Sequence, residues 1–249
     1  MRKSVDHLGE ESFNKKGTVM KIIEYINNRK VLVEFQDEYK YQTYTNYQAF
    51  IKGEVKNVYD KSVYGVGYIG EGQYSHKTHP HSYNVWKHMI ARCYDKVTAT
   101  SNPSYINCYV SDDWLCFQNF ASWFDENYYE IPGEIMHLDK DILIKGNLQY
   151  SSETCTFVPQ RINSLFTKND MRRGNLPIGC YYHGKSIYVS CNTLDGRVQL
   201  GRYDTTIKAF EAYKMFKEKY IQKVADEYRD IIPNNLYEAM YNYKVEIND

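Results

Sequence analysis

The chain has 249 residues with 31 basic and 31 acidic side chains, so its formal net charge is zero. Hydrophobic residues make up 43% and charged residues 25%, values typical of soluble globular proteins, so neither a disordered nor a membrane class is indicated. Neutrality also argues against a simple polybasic nucleic-acid binder. Tyrosine is the outlier: 26 Tyr against 10 Phe and 3 Trp favour half-exposed aromatic surfaces with a polar hydroxyl.

The neutral total hides an uneven distribution of charge along the chain. Residues 1–103 carry a net charge of +4, residues 104–160 of −7, residues 161–223 of +7 and residues 224–249 of −4. An acidic block beside a basic block is expected where one part of a protein collects cations and the next contacts phosphates. Random variation of surface charge is the alternative interpretation.

Residues 18–50 predict an antiparallel β-meander. The runs TVMKIIEY and KVLVEF are rich in β-formers and are separated by Asn27, Asn28 and Arg29, which are typical turn residues. The third run, YKYQTYT, alternates aromatic and polar positions. We therefore expect a β-rich, barrel-like module over residues 1–62.

Glycine and histidine dominate between Tyr64 and Pro80, which indicates an exposed connector or a functional loop. The segment from Gly65 to Gly70 matches G-x-G-x-x-G, but no helix is predicted after it, so a dinucleotide site is not expected. A zinc site needs ligands at fixed geometry, and histidines that are merely close in the sequence do not provide this. Chance histidines in a polar loop are therefore the preferred interpretation of His76, His79, His81 and His88.

Two amphipathic helices are predicted after this loop. The first begins at Ser82 and the second covers residues 114–128, and in both the aromatic and aliphatic residues recur at helical spacing. We interpret these stripes as core. The six cysteines include no C-x-x-C pair, so we expect reduced, packed thiols and no structural zinc or disulfide framework.

A unit of strand, loop, strand and helix is predicted next. MHLDKDIL forms the first strand, IKGNLQYSSE the turn, TCTFV the second strand and PQRINSLF the helix. In a ββα-metal nuclease site this order brings together strand carboxylates, a loop asparagine and a helix amide around one divalent cation, while a strand base activates water. The candidate catalytic residues are His137, Asp139, Lys140, Asp141, Asn147 and Asn163.

With these motifs the chain resembles phage-encoded HNH endonucleases of the homing type. The similarity runs through YGVGYIG, YNVWKHMIARCY, DDWLCFQNFASWF and HLDKDILIKGNLQYSSETCTFVPQRINSLF. It implies a DNA endonuclease that uses magnesium or manganese, with Asp139 and Asn163 as the metal ligands. Lys140 stands where the usual general-base histidine follows the aspartate, and Thr154 stands where the middle asparagine of the motif often lies.

The identity of the base leaves two interpretations open. His137 lies two residues before Asp139 on the same strand face and can act as the base, with Asp141 as a second carboxylate on that face. Lys140 is the second candidate, although a lysine is a poor base at neutral pH unless it is desolvated. Alternatively the site is catalytically degenerate and the fold serves DNA binding, as a regulator or inhibitor of a host system. A protein-interaction module built from tyrosine-rich faces is the third interpretation.

Three strands, IGCYYH, SIYVSCN and RVQLGRY, and a long helix with an apolar face from Ala209 to Tyr228 are predicted next. PIGCYYHGKSIYVSCN and GRVQLGRYDTTIKAFEAY resemble the DNA-binding domain of the Apetala and ethylene-response-factor type, which implies double-stranded DNA as the partner and a sheet in the major groove. A small sheet with no partner is the alternative. The candidate DNA-contacting residues are Arg161, Arg172, Arg173, Tyr181, Tyr182, His183, Lys185, Tyr188, Ser190, Arg197, Gln199 and Arg202.

The expected class is α+β, with a β-rich N-terminal module, a central HNH-like ββα-metal core with flanking helices, and a C-terminal three-stranded sheet packed on a helix. The predicted domains are residues 1–62, the helical plus HNH-like domain 63–172, the Apetala-type domain 173–230 and a tail, 231–249. The sequence has no signal peptide and no long apolar run, so we expect a protein of the cytoplasm, the host cytoplasm if a phage encodes it, without a membrane partner. The oligomeric state is not predicted.

Overall fold

The computed structural model describes residues 6–101, 105–167 and 175–249. The chain divides into two compact units, residues 1–125 and residues 126–249. The predicted α+β class is confirmed: an antiparallel N-terminal sheet, central helices and a C-terminal three-stranded sheet packed against a long helix. The described part of the chain contains no helix that is long and apolar enough to span a membrane.

The N-terminal sheet is an open antiparallel meander of four strands in chain order. Apolar and partly exposed positions alternate along its third strand, so that one face is buried and the other contacts water. The buried face packs on Phe50 of a short helix, which Asn46 caps by accepting a hydrogen bond from the backbone N–H of Ala49 at 2.8 Å. The predicted meander is present, with one further strand before it. The elements are β1 (Glu11–Phe13), β2 (Val19–Asn27), β3 (Lys30–Phe35), β4 (Gln42–Thr45) and α1 (Tyr47–Ile51).

The helices of the first unit follow the predicted apolar stripes with one difference. Trp86 is buried and its Nε1 donates to the backbone carbonyl of Trp114 at 2.8 Å. The segment predicted as one helix from Trp114 is two helices, because Cys116 adopts an extended backbone and forms a bridge with Tyr68. The elements are α2 (Pro80–Tyr94), α3 (Lys96–Ser101), β5 (Tyr109–Val110), α4 (Asp112–Leu115) and α5 (Phe117–Asn127).

The second unit contains the predicted strand, strand and helix order, followed by the predicted sheet and helix. β6 (Met136–Asp139) pairs antiparallel with β8 (Thr156–Pro159), and α6 (Gln160–Ser164) begins directly after β8. The short strand β7 (Gln149–Tyr150) lies between them in the chain. The three-stranded sheet has the order β11-β10-β9 and is followed by two helices. These elements are β9 (Cys180–His183), β10 (Ser186–Thr193), β11 (Gly196–Tyr203), α7 (Thr206–Tyr228) and α8 (Asn234–Tyr241).

Helix α7 packs on two different hydrophobic clusters. It has 23 residues and is therefore about 34 Å long at 1.5 Å per residue. The first half places Ala209 and Tyr213 against the three-stranded sheet, whereas the second half places Ile221 and Val224 against β8 and α6. One continuous helix thus supports both the three-stranded sheet and the ββα hairpin, which consists of β6, β8 and α6.

The segment 231–249, predicted as a tail, folds back along α7. Leu236 and Met240 of α8 are fully buried in the cluster that α7 shares with the hairpin. Val245 is buried in the cluster under the sheet, and its backbone carbonyl accepts from Lys214 Nζ at 2.7 Å. The segment is therefore part of the packed core of the second unit.

Gly179 lies where the three-stranded sheet meets α7, and we expect Gly179→Ala to destabilise the protein strongly. Its φ of +78° is unfavourable for an L side chain, and a Cβ there would collide with the Tyr213 ring. We expect a loss of about 3 kcal/mol in the free energy of unfolding, measured by urea denaturation. Gly184→Ala is the matched control, because its φ is +61° and its Cβ would have nothing within 4 Å, so it should lose about 1 kcal/mol. Equal losses in the two variants would contradict this packing.

Candidate functional site

The pairing of β6 with β8 brings two of the predicted catalytic residues together where α6 begins. Leu138 is buried, and its neighbours His137 and Asp139 alternate with it onto the other side of β6. His137 Nδ1 lies 3.5 Å from Asn163 Nδ2 on α6. Because β8 leads directly into α6, the fold joins side chains that are 26 positions apart in the sequence.

Asp139 ends β6, and its carboxylate shapes the bend that follows. Its Oδ1 accepts hydrogen bonds from the backbone N–H groups of Asp141 at 2.9 Å and of Ile142 at 2.8 Å. Burial, followed by the charge of Asp141, raises the pKa of the Asp139 carboxyl to about 6. A carboxylate whose negative charge is disfavoured in this way gains from a cation placed beside it.

Lys140 and Asn147 hold the loop between β6 and β7. Lys140 Nζ donates to the backbone carbonyl of Asn147 at 2.8 Å, and Asn147 Nδ2 donates back to the carbonyl of Lys140 at 2.7 Å. Asn147 Nδ2 also donates to the carbonyl of Gln149 at 2.6 Å. Lys140 is only 6% exposed, and its Nζ lies 3.4 Å from Asp141 Oδ2. We interpret Lys140 and Asn147 as residues that shape the loop, which leaves His137 as the candidate base.

The donor atoms at this site suit a hard divalent cation. Magnesium prefers oxygen ligands, keeps several waters and binds proteins through one or two carboxylates together with phosphate oxygens. Asp139 supplies a carboxylate and Asn163 a side-chain amide. In the described ranges no group of three or more His, Cys, Asp or Glu side chains is arranged to hold a metal ion, including the histidine-rich loop. A cation held here would therefore rely on water and substrate for its remaining ligands.

The outer face of the sheet formed by β9, β10 and β11 collects most of the predicted DNA-contacting residues. Val189 and Cys191 of β10 are buried on the face toward α7, so the residues between and beside them point outward. The register places Tyr188 opposite both Tyr181 and Arg202. The outward-facing set is Tyr181, His183, Tyr188, Ser190, Arg197, Gln199 and Arg202.

Contacts within this outer face fix its side chains before any partner binds. Arg197 Nε donates to Ser190 Oγ at 2.9 Å, and its guanidinium carbon lies 5.0 Å from the centre of the Tyr181 ring. Tyr181 Oη donates to Gln199 Oε1 at 2.9 Å. The Tyr188 ring packs beside Tyr181 with 6.1 Å between ring centroids. Side chains that are already ordered lose less conformational entropy on binding.

The other predicted DNA-contacting residues lie off this face. Tyr182 pairs with the inward-facing Ile187 and so belongs to the opposite side of β9, where it is 64% exposed. Lys185 lies in the turn between β9 and β10, and Arg161 on α6 has a side chain that is 58% exposed. The remaining two, Arg172 and Arg173, fall outside the residues that the structure describes.

The sequence patterns missed the link between α7 and the ββα hairpin. Tyr228 Oη at the end of α7 donates to Glu134 Oε1 at 2.7 Å, two residues before β6 begins. Ile221 of the same helix packs in the cluster that contains Val158 and Ile162. The one available signal was the length of the apolar stripe, which continues beyond what a short three-stranded sheet can cover.

Comparisons of the chain with protein families, curated proteins and solved structures gave no match. The geometry of the two sites therefore carries the functional argument together with the sequence motifs.

Replacement of Asn147 should destabilise the protein because its amide serves two backbone carbonyls. We expect Asn147→Ala to lower the free energy of unfolding by about 2 kcal/mol, since both carbonyls lose a donor. Asn84→Ala is the control, because Asn84 is exposed on α2 and the change should cost less than about 0.5 kcal/mol. Chemical denaturation of both variants measures the difference, and a cost for Asn147→Ala no larger than for the control would contradict the loop-holding role.

Proposed function

We propose that the protein is a magnesium-dependent HNH-type endonuclease that hydrolyses phosphodiester bonds in double-stranded DNA. The observation that supports this most directly is the distance of 3.5 Å between His137 Nδ1 and Asn163 Nδ2. His137 lies on the same strand as Asp139. A base, a carboxylate and an amide are the groups that this chemistry needs. The arginine- and tyrosine-rich sheet in the same unit gives a surface for the substrate.

His137 is the residue that takes the proton from the attacking water. With the Asn163 amide as donor, Nδ1 of His137 carries the lone pair and Nε2 carries the proton, which is the basic form of the imidazole. In the reaction the Asn163 amide releases Nδ1 and a water takes its place. This water passes a proton to Nδ1 of His137 while its oxygen bonds to the phosphorus, and the bond from phosphorus to the leaving sugar oxygen breaks. General-base assistance of this kind accelerates such reactions by about 10² to 10⁴-fold.

Asp139 and Asn163 are the residues that would hold the cation. A magnesium ion held by them would supply charge stabilisation for the phosphate and the leaving oxygen. The two backbone hydrogen bonds to Oδ1 fix the orientation of the Asp139 carboxylate, so the ligand is positioned without substrate. Asp141, with a side chain that is 50% exposed, adds negative charge beside it.

The outer face of the C-terminal sheet selects the DNA. A sheet laid in the major groove reads base edges with its outward side chains, and arginine and glutamine suit guanine and adenine. Arg197 and Gln199 are both held in place by Tyr181, which favours a defined geometry of contact. Recognition and cleavage then belong to one unit of the protein.

A catalytically inactive DNA-binding protein is the second candidate. Lys140 occupies the usual position of the base histidine and is engaged in holding the loop. The described residues also include no group of three or more metal-ligating side chains. Such a protein would keep the DNA-binding sheet and lack nicking activity, as expected of a regulator or inhibitor.

Substitution at the ββα hairpin separates these two candidates. We expect His137→Gln and Asp139→Asn to lower the rate of plasmid nicking in magnesium or manganese by about 10² to 10⁴-fold. DNA affinity, measured by fluorescence anisotropy, should change by less than about two-fold, because binding resides mainly in the sheet. Asp230→Asn is the control, because Asp230 is exposed and lies outside the hairpin.

Two results would contradict the endonuclease proposal. The first is wild-type protein that binds DNA but nicks it in neither metal, which supports the inactive candidate. The second is full activity in Asp139→Asn, which would remove Asp139 from the metal site.

A further inference from the structure

Helix α2 and the loop before it present a surface that the proposed endonuclease mechanism does not use. Trp86 fixes the inner face of α2 through its hydrogen bond to the Trp114 carbonyl, and Met89 and Ile90 are buried beside it. The opposite face of α2 contacts water. The exposed residues of this α2 surface are His76, Lys77, His81, Asn84, Lys87 and His88.

The spacing along α2 places these side chains on one side of the helix. His81, Asn84 and His88 follow at intervals of three and four residues and therefore lie in one row. Lys87 lies next to this row, and Lys77 is exposed in the loop that leads into α2. The row is opposite to the buried stripe, so the whole set is accessible to a large partner.

The α2 surface lies in a stretch between Glu71 and Asp95 that carries basic side chains and no carboxylate. Residues 72–94 contain Lys77, Lys87, Arg92 and four histidines, and no aspartate or glutamate. The next acidic residue, Asp95, turns its Oδ2 to the backbone N–H and hydroxyl of Thr98, which also lower its pKa. Its carboxylate is thus engaged in capping α3.

The two lysines are not used in ion pairs within the described residues. Among the described residues of the first unit, salt bridges join Lys15 to Glu54, Lys21 to Glu11 and His7 to Glu10, and neither Lys77 nor Lys87 takes part in one. An ammonium group that is exposed and unpaired is available to a phosphate. A run of 23 residues with three basic side chains and no carboxylate of its own is the electrostatic signal expected of a nucleic-acid contact.

We propose that the α2 surface binds the phosphate backbone of double-stranded DNA, as a second contact besides the C-terminal sheet. This inference rests on the proposed function, since it names a further surface for the same substrate. The two lysines meet phosphates as point charges and the histidines beside them offer ring N–H donors, so the contact adds affinity without reading sequence. It gives the first unit, which is close to neutral over its sheet, a role in holding the substrate.

The test is DNA affinity as a function of salt in the full-length protein. Lys77→Gln/Lys87→Gln removes two charges from the α2 surface, and Lys16→Gln/Lys56→Gln removes two charges from exposed positions elsewhere in the first unit. Binding to a DNA duplex of about 30 base pairs is measured by fluorescence anisotropy over about 50 to 300 mM NaCl. Circular dichroism checks that both variants keep the wild-type melting temperature.

We expect the α2 variant to bind DNA about 5- to 30-fold more weakly at about 100 mM NaCl. The slope of log K against log salt should become shallower by about 1.8. The control should change by less than about two-fold and keep its slope. An α2 variant with the same DNA affinity and salt slope as the control would overturn the inference about the α2 surface. The proposed endonuclease function would still stand in that case if the wild-type protein nicks the DNA. Wild-type protein that neither binds nor nicks DNA at low salt would overturn both.

Discussion

The packing of α7 against two different partners is the constraint on which the architecture of residues 126–249 depends. Its first half covers the three-stranded sheet, where Gly179 allows the Tyr213 ring to approach the backbone. Its second half forms one cluster with β8, which pairs with the strand of His137 and Asp139, and with α6, which carries Asn163. The sheet alone is too small to bury a helix of 23 residues, and the hairpin of β6 and β8 is too short to be stable alone. Each therefore obtains its core from the same helix.

Much of this fold follows from the periodicity of the sequence. The alternation in β3 and the Asp195-Gly196 turn between β10 and β11 predict strands correctly, because local pattern and local structure agree there. The break at Cys116 was not predicted, since a bridge to the distant Tyr68 imposes it. Lys217 was left out of the predicted apolar face of α7, yet it is only 7% exposed and burial lowers its pKa. Tertiary contacts override residue type at both positions.

The candidate site shows the same division between local and distant information. The motif placed His137 and Asn163 in one site, and the structure brings their side chains together. The motif gave no sign that Lys140 is buried and bonded to the Asn147 carbonyl, because the path of the loop decides this. The sequence predicts that Tyr181 and Tyr182 both contact DNA. Because side chains alternate along β9, the two tyrosines lie on opposite faces of the sheet.

The zero net charge of the chain results from segments of opposite sign. The acidic residues before position 160 include Asp139 and Asp141, which a cation would stabilise. The basic residues after it include Arg197 and Arg202 on the outer face of the sheet. Since α7 holds the hairpin and this sheet in one unit, the proposed function requires cleavage at a fixed distance from the DNA sequence that the sheet would bind. Mapping nick positions against the footprint of the protein on the same DNA tests this directly. We expect a single offset, whereas nicks scattered around the protected sequence would contradict the coupling through α7.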